Sequence, residues 1–235
     1  MDCNCPYDRT NNVIMEIKMK RPITSSICGN EYEIHGIFPY PVYVTKRDSN
    51  LDATEEKEIE DVKKEMNHNE FNSISANTYI FNTKLKKIKE FCERHIKMYV
   101  EEIINPKEGL ADFYITQSWL NITKPDEHHQ VHNHQNSIVS GVFYVSTVED
   151  DKIYFYDNDG LTKNRIEFEN KGFNIWNSSS WFFTIEKNDL ILFPSWMTHS
   201  VEPNPNATGD RISLAFNVFA KGMRGGEGKV NALIL

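Results

Sequence analysis

At 235 residues, with a hydrophobic fraction of 39% and 12% aromatics, the chain is long and apolar enough to bury a core, unlike a disordered sequence. Its formal net charge of −8 argues against general affinity for nucleic acid or an anionic membrane, which both rest on basic patches, and no apolar run reaches membrane-span length. The N-terminal stretch "MDCNCPYDRTNNVIMEIKMKRP" lacks the layout of a secretory signal, and Cys3, Cys5, Cys28 and Cys92 stand at no zinc-finger spacing, so reduced thiols in a cytoplasmic setting are expected.

In chain order, "EYEIHGIFPYPVYVTKRD" reads as one or two early strands punctuated by Pro39 and Pro41. "LDATEEKEIEDVKKEMNHNE" has helical spacing at Ile59, Val62 and Met66, with Asp52 and Glu55 placed for a capping box. A stronger helix is predicted over "TKLKKIKEFCERHIKMYVEEII". Its stripe is Leu85, Ile88, Cys92, Ile96, Tyr99 and Ile103, its cap Thr83, and its stop Asn105-Pro106. His95 on that helix is read as a partly exposed helix residue. After residue 110 the texture turns to short β-branched and aromatic runs: "DFYITQSWLNIT", "SIVSGVFYVST", "KIYFYD", "RIEFE", "FNIWN", "WFFTIE", "DLILFP" and "RISLAFNVFA". Such spacing signals a sandwich or barrel. No Gly- or Ser-rich linker intervenes, so a single domain over 1–235 is expected: a helical and strand support region over 1–110 and a β core over 111–220.

Strand parity adds a chemical clue. Ile212, Leu214, Phe216 and Val218 share one face of their strand, and Arg211, Ser213, Ala215 and Asn217 share the other. In "IVSGVFYVS", Ser140, Tyr144 and Ser146 oppose Val139, Phe143 and Val145. The alternation fits a sandwich strand with its polar face in water, or a barrel whose polar interior holds a small charged ligand. An arginine that faces inward needs an anionic partner, because an unpaired buried charge costs several kcal/mol, roughly. The planar fork of Arg211 suits a carboxylate, and Ser213 adds a hydroxyl on the same face.

Four of the eight histidines fall between 128 and 134. His132 and His134, two apart, can present imidazoles to one ion, and the remaining ligands of an iron, zinc or copper site then come from elsewhere. His199, delivered after the apolar run that ends at Pro194, is the third candidate. His128 and His129 are read as loop residues near the entrance, and Trp119, Trp196 and Phe143 as core packing in preference to shaping a pocket.

"HNHQNSIVSGVFYV", "DLILFPSWMTHSV" and "RISLAFN", in that order, resemble the 2-oxoglutarate/Fe(II)-dependent oxygenases, and more narrowly a branch with a His-x-His motif met in bacteria and phages. The resemblance covers residues 113 to 219. It implies a mainly β (α+β overall) fold, a double-stranded β-helix (jelly-roll) core with N-terminal helices packed outside, and the cofactors Fe(II), 2-oxoglutarate and O2. By it, His132 would be the proximal and His199 the distal metal ligand, with Arg211 and Ser213 gripping the far carboxylate of 2-oxoglutarate and Tyr144 hydrogen-bonding it. The usual His-x-Asp or His-x-Glu here has His134 at its last position. A three-histidine set is preferred to the register His134-x-Asn136 or to two protein ligands alone, imidazole being a better iron ligand than a neutral amide. The expected activity is hydroxylation of an unknown substrate, a protein side chain or a small molecule, and a homodimer is compatible with it. Two rivals stay open: a three-histidine cupin-like dioxygenase without 2-oxoglutarate, and a non-catalytic jelly-roll binding protein.

Overall fold

The computed structural model describes residues 23–27, 30–157, 169–226 and 228–235, which fall into two units, one ending at Tyr40 and one running from Pro41 to Leu235. In the first, β1 (Ile23–Ile27) and β2 (Asn30–Ile34) pair antiparallel, with Ile23 opposite Ile34. Cys3, Cys5 and Cys28 lie outside the described residues, whereas Cys92 is a buried free thiol.

The second unit opens with β3 (Tyr43–Lys46) and α1 (Ala53–Lys63). The expected capping box is present: the Asp52 carboxylate accepts from the backbone N–H groups of Thr54 and Glu55, and Glu55 accepts from that of Asp52. The helix stops at Lys63, short of the expected Met66. Met66 instead starts β4 (Met66–His68), which pairs with β5 (Ser73–Ser75) across a turn closed by Asn69, whose Oδ1 accepts from the N–H groups of Phe71 and Asn72. Thr83 does not cap the next helix; it ends a short 3-10 turn, Ile80–Asn82. Then α2 (Lys86–Tyr99) begins after Leu85, which adopts a left-handed backbone (φ 57) and donates its N–H to Glu58 at 2.6 Å. The chain widens into a π-type turn, Val100–Ile104, and stops as expected at Asn105 (φ 46) before Pro106. That widening shifts the helical phase, so Ile103 is exposed while Ile88, Cys92, Ile96 and Tyr99 are buried.

The remaining strands are β6 (Ala111–Thr123), β7 (His129–His132), β8 (Val139–Ser146), β9 (Lys152–Tyr156), β10 (Ser180–Thr184), β11 (Asp189–Pro194), β12 (Thr198–Val201), β13 (Arg211–Arg224) and β14 (Leu233–Ile234). Of the runs predicted as strands, "FNIWN" is a turn, in which Asn174 and Asn177 accept backbone N–H groups from Trp176 and Asn174; "RIEFE" lies, but for Glu169, outside the described residues. The large sheet runs β3-β11-β8-β13-β6-β5-β4, with β14 on the end of β13, and the small sheet runs β10-β9-β12-β7. All these pairings are antiparallel. The fold is a mainly β jelly roll.

The helices cover the outer face of the large sheet. Phe91, Cys92, Ile96 and Tyr99 share one apolar cluster with Leu120, Phe143, Leu192, Leu214 and Phe216. A bulge makes this possible along β6. Asn217 pairs with Gln117 but Val218 with Ile115, so Thr116 is the extra residue, its hydroxyl donating to Asn217 O at 3.2 Å. Leu120 and Ile122 beyond the bulge, and Phe113 and Ile115 before it, thus face the core although their parity differs. β13 keeps one parity throughout, as read from its sequence. The opposite face of the large sheet, with the small sheet, encloses a cavity.

Gly141, in the middle of β8, lies beneath an aromatic ring: a Cβ there would stand 2.2 Å from Phe216 Cζ and 2.8 Å from Leu192 Cδ2. Gly141→Ala is therefore expected to cost about 1–3 kcal/mol through overpacking, read from the urea midpoint, and Phe216→Leu in the same chain should recover part of it. An unchanged midpoint in the single variant would contradict this packing.

Candidate metal centre

The small sheet brings together histidines that lie far apart in sequence. In the β7–β12 pairing His132 is the direct partner of His199, and Val201 of His129, with an irregularity between the two pairs. His134 lies two residues beyond the end of β7, and its backbone N–H donates to Ser195 O at 2.9 Å, which ties the segment to the β11–β12 turn. The ring centroids are 4.3 Å apart for His132–His199 and 5.2 Å for His132–His134 and His134–His199. One ring nitrogen from each lies within 4.8 Å of the others. His199 is buried, His134 partly so and His132 exposed, so the cluster sits at the cavity mouth.

Two of these rings have their tautomer fixed by the backbone. His132 Nδ1 lies 2.7 Å from Gln130 O and His199 Nδ1 3.0 Å from Met197 O. A carbonyl only accepts, so each Nδ1 carries the proton and each Nε2 presents a lone pair. His134 is backed by the Trp119 ring, with centroids 5.7 Å apart and planes 26° from parallel. Burial, reinforced by His132, pushes His134 down to about 4 and His199 down to about 3. Near neutral pH both are uncharged, the form in which imidazole binds a metal.

The cavity has a volume of about 380 Å³, and its wall includes Trp119, Asn121, His129, Tyr144, Arg211 and Ser213. Ser213 pairs with Tyr144 on β8 and with Asn121 on β6, so these three share one rung. Arg211 is only 5% exposed; its guanidinium lies 5.2 Å from the centre of the Tyr144 ring, and its Nη1 lies 3.4 Å from Asp151 Oδ1. Burial raises the Asp151 carboxyl above its ordinary value although Arg211 pulls it down, and burial pushes the Tyr144 phenol up to about 12. Among the described residues, Arg211 Nε and Nη1, Tyr144 Oη and Asn121 Oδ1 are buried without a hydrogen-bond partner. Such groups are costly to leave unmet; Arg211 and Tyr144 offer donors for a buried carboxylate, and Asn121 Oδ1 offers an acceptor.

The six residues that the resemblance assigns to the metal or the cosubstrate lie at this cavity or its mouth: His132, His134, His199, Arg211, Ser213 and Tyr144. Three expectations are corrected, the third being that Trp196 packs in the core. His129 is not a loop bystander: it lies on β7 and lines the cavity. Trp119 lines the cavity rather than the core. Phe143 is in the core, Trp196 is half-exposed, and His128 packs on Phe71 with centroids 4.8 Å apart. Asp151, in the β8–β9 turn, escaped the sequence reading; nothing in "VEDD" distinguishes it from ordinary turn acids.

The lowered histidines set a pH dependence. An unfolded histidine titrates near 6.5, so between about 6.5 and the folded values the unfolded chain binds more protons. The stability of the metal-free protein must then rise with pH in that window and be lost as pH falls through it. His199→Gln should flatten the slope by up to about 1.4 kcal/mol per pH unit between pH 6 and 5, measured by denaturant titration of both forms. Equal slopes would refute the burial of a neutral His199.

Comparison with known proteins fits this geometry. Residues 117–217 match the family model described as "Putative 2OG-Fe(II) oxygenase". No curated protein matches the sequence. Among solved structures, the nogalamycin-biosynthesis carbocyclase SnoK, a non-heme α-ketoglutarate-dependent enzyme, is 11% identical with a TM-score of 0.53, over 78% of this chain and 82% of its own. A Trichoplax adhaerens prolyl hydroxylase, in complex with a hypoxia inducible factor peptide fragment, is 9% identical with a TM-score of 0.52, over 76% and 83%. HygX from Streptomyces hygroscopicus, with nickel, 2-oxoglutarate and hygromycin B bound, is 10% identical with a TM-score of 0.50, over 76% and 82%. At these identities the likeness is one of fold. The matched segment, which carries the His-x-His motif at His132 and His134, is thus similar to the 2-oxoglutarate/Fe(II)-dependent oxygenases, and the chain shares their fold.

Proposed function

We propose that the chain is a 2-oxoglutarate- and Fe(II)-dependent hydroxylase that acts on a protein side chain or a small molecule. One observation carries the reading: three imidazoles that can hold a metal and a buried guanidinium with unpartnered N–H groups open onto the same cavity. The donor set fits ferrous iron, since imidazole nitrogen is a good ligand for it and the buried rings of His134 and His199 are neutral near pH 7. The fold also holds both nickel and 2-oxoglutarate in HygX.

In this reading His132, His134 and His199 hold the iron. Ferrous iron in such a centre supplies oxidative decarboxylation of 2-oxoglutarate by O2, giving succinate and CO2 coupled to hydroxylation of a substrate C–H bond. The remaining work belongs to the chain. Arg211, ion-paired with Asp151 through Nη1, directs its remaining N–H groups at the far carboxylate and so fixes the cosubstrate's orientation. Ser213 offers a hydroxyl on the same rung as Tyr144. Tyr144, whose phenol stays protonated at neutral pH, donates to the same carboxylate. Trp119 backs His134 and helps keep water from the cavity. With a third imidazole in place of the usual carboxylate, every protein ligand is neutral, so the ion's charge is left to be met by the cosubstrate's anionic groups.

A second reading draws on Asp151. Because this carboxyl already lies 3.4 Å from Arg211 Nη1, the guanidinium has an anionic neighbour without any dicarboxylic acid, as a three-histidine dioxygenase independent of 2-oxoglutarate would require. The family match and the unpartnered Arg211 atoms favour the first reading.

Anaerobic addition of Fe(II) and 2-oxoglutarate separates them. The proposal expects a weak visible charge-transfer band that is lost in His199→Ala, and 2-oxoglutarate binding weakened roughly a hundredfold in Arg211→Ala. Metal binding with no band and no 2-oxoglutarate affinity in the wild type would favour the second reading instead.

A further inference from the structure

Next to the metal cluster and the guanidinium stands a histidine that neither role absorbs. His129 lines the cavity, and a chain of hydrogen bonds settles which of its nitrogens carries the proton. The chain begins at backbone donors, which have only one sense. The N–H groups of Phe71 and Asn72 both donate to Asn69 Oδ1, at 2.8 and 2.9 Å. The other end of the Asn69 amide is therefore its NH2, which donates to Asn72 Oδ1 at 3.0 Å. That in turn fixes the buried Asn72 amide, whose Nδ2 donates to His128 O and to His129 Nδ1, both at 3.1 Å. His129 Nδ1 is thus an acceptor, and the proton of the neutral ring sits on Nε2. Among the described residues no partner takes that proton.

His129 and Arg211 line the same cavity, and strand register brings the anchor of His129 toward Arg211. Ser73 on β5 pairs with Ile122 on β6, and Ile122 with Ile212 on β13. Asn72 immediately precedes Ser73, and Thr123–Arg211 is the next pair along β6 and β13 in that direction. Asn72 therefore anchors His129 at the end of the cavity where Arg211 lies. Burial and the Arg211 charge keep the ring neutral, so Nε2–H is a donor and not a second cation.

We infer that His129 is a further binding residue for the cosubstrate, donating Nε2–H to the carboxylate that Arg211 holds, with Asn72 as the positioning residue that sets its tautomer. This deepens the reading of the site as a 2-oxoglutarate enzyme and rests on it. Two unlike donors at one carboxylate would divide the recognition. Arg211 supplies charge and is itself shared with Asp151; His129 supplies direction.

The test uses the full chain loaded with Ni(II), with 2-oxoglutarate affinity measured by calorimetry and metal affinity by competition titration. His129→Ala should weaken 2-oxoglutarate about tenfold, as loss of one hydrogen bond to a charged acceptor would, with metal affinity unchanged. His129→Gln, which keeps an N–H donor, should recover part of the loss. Asn72→Ala should weaken binding by a smaller factor. Long-range 15N–1H correlation of the metal-free wild type should show His129 protonated at Nε2, independently of any cosubstrate. The inference is overturned if His129→Ala binds as the wild type does, if metal affinity falls in parallel, or if the proton is on Nδ1. A wild type that binds no 2-oxoglutarate would instead overturn the functional reading on which the inference stands, a result distinguishable from failure of His129 alone.

Discussion

The pairing of β7 with β12 is the constraint on which the site depends. It sets His132 opposite His199 and so draws together imidazoles that are distant in the chain. Neither strand has much apolar content of its own: β7 reads HQVH and β12 reads THSV. Their register is held from outside. β12 is clamped on its other edge by β9, with His199 also opposite Phe155, and the segment after β7 is tied to Ser195 O through the His134 N–H. Two polar strands can then lie side by side because the ladder meets their backbone groups and the cavity receives their side chains.

Division of labour between the two faces of the large sheet explains how so polar a cavity is tolerated. Its outer face and the helices hold the main apolar cluster, where burial supplies stability. The inner face is free to carry Arg211, Ser213, Tyr144 and Asn121, groups that lower stability unless they are satisfied. Asp151 is part of that accommodation, because a lone buried guanidinium beside three imidazoles would be strongly disfavoured. Trp119 and Tyr144 contribute aromatic surface while leaving polar groups available to a ligand.

Much of this was legible in the sequence, for reasons that can be named. β13 alternates without interruption, so Arg211 and Ser213 could be assigned to the face opposite Leu214 and Phe216. The residues of α1 and α2 announce themselves by spacing, and the Asp52–Glu55 box is a local interaction with a local signature. What escaped depends on distant contacts. β7 and β12 have neither the length nor the alternation of strands, and only their partners make them so. His129 looked idle because its role requires Asn72, which sits in a turn that resembles any other Asn-rich loop. Leu85 starts α2 with a left-handed backbone where Thr83 offered an ordinary cap, because the acceptor for its N–H is Glu58 on another helix. "FNIWN" has the composition of a strand, but its asparagines fold it onto itself.

The single extra residue at Thr116 has a consequence for how this chain can diverge. β6 changes phase there, so Phe113 and Ile115 on one side and Leu120 and Ile122 on the other all reach the core, while Gln117, Trp119 and Asn121 reach the cavity. Substitutions at these places alter one face at a time. A one-residue deletion at that point would instead invert everything on one side, turning lining residues into packing residues and the reverse. Relatives of this chain can therefore vary the chemistry of that wall freely in kind but not in number: across this stretch the length of the strand is as much a part of the binding surface as any side chain on it.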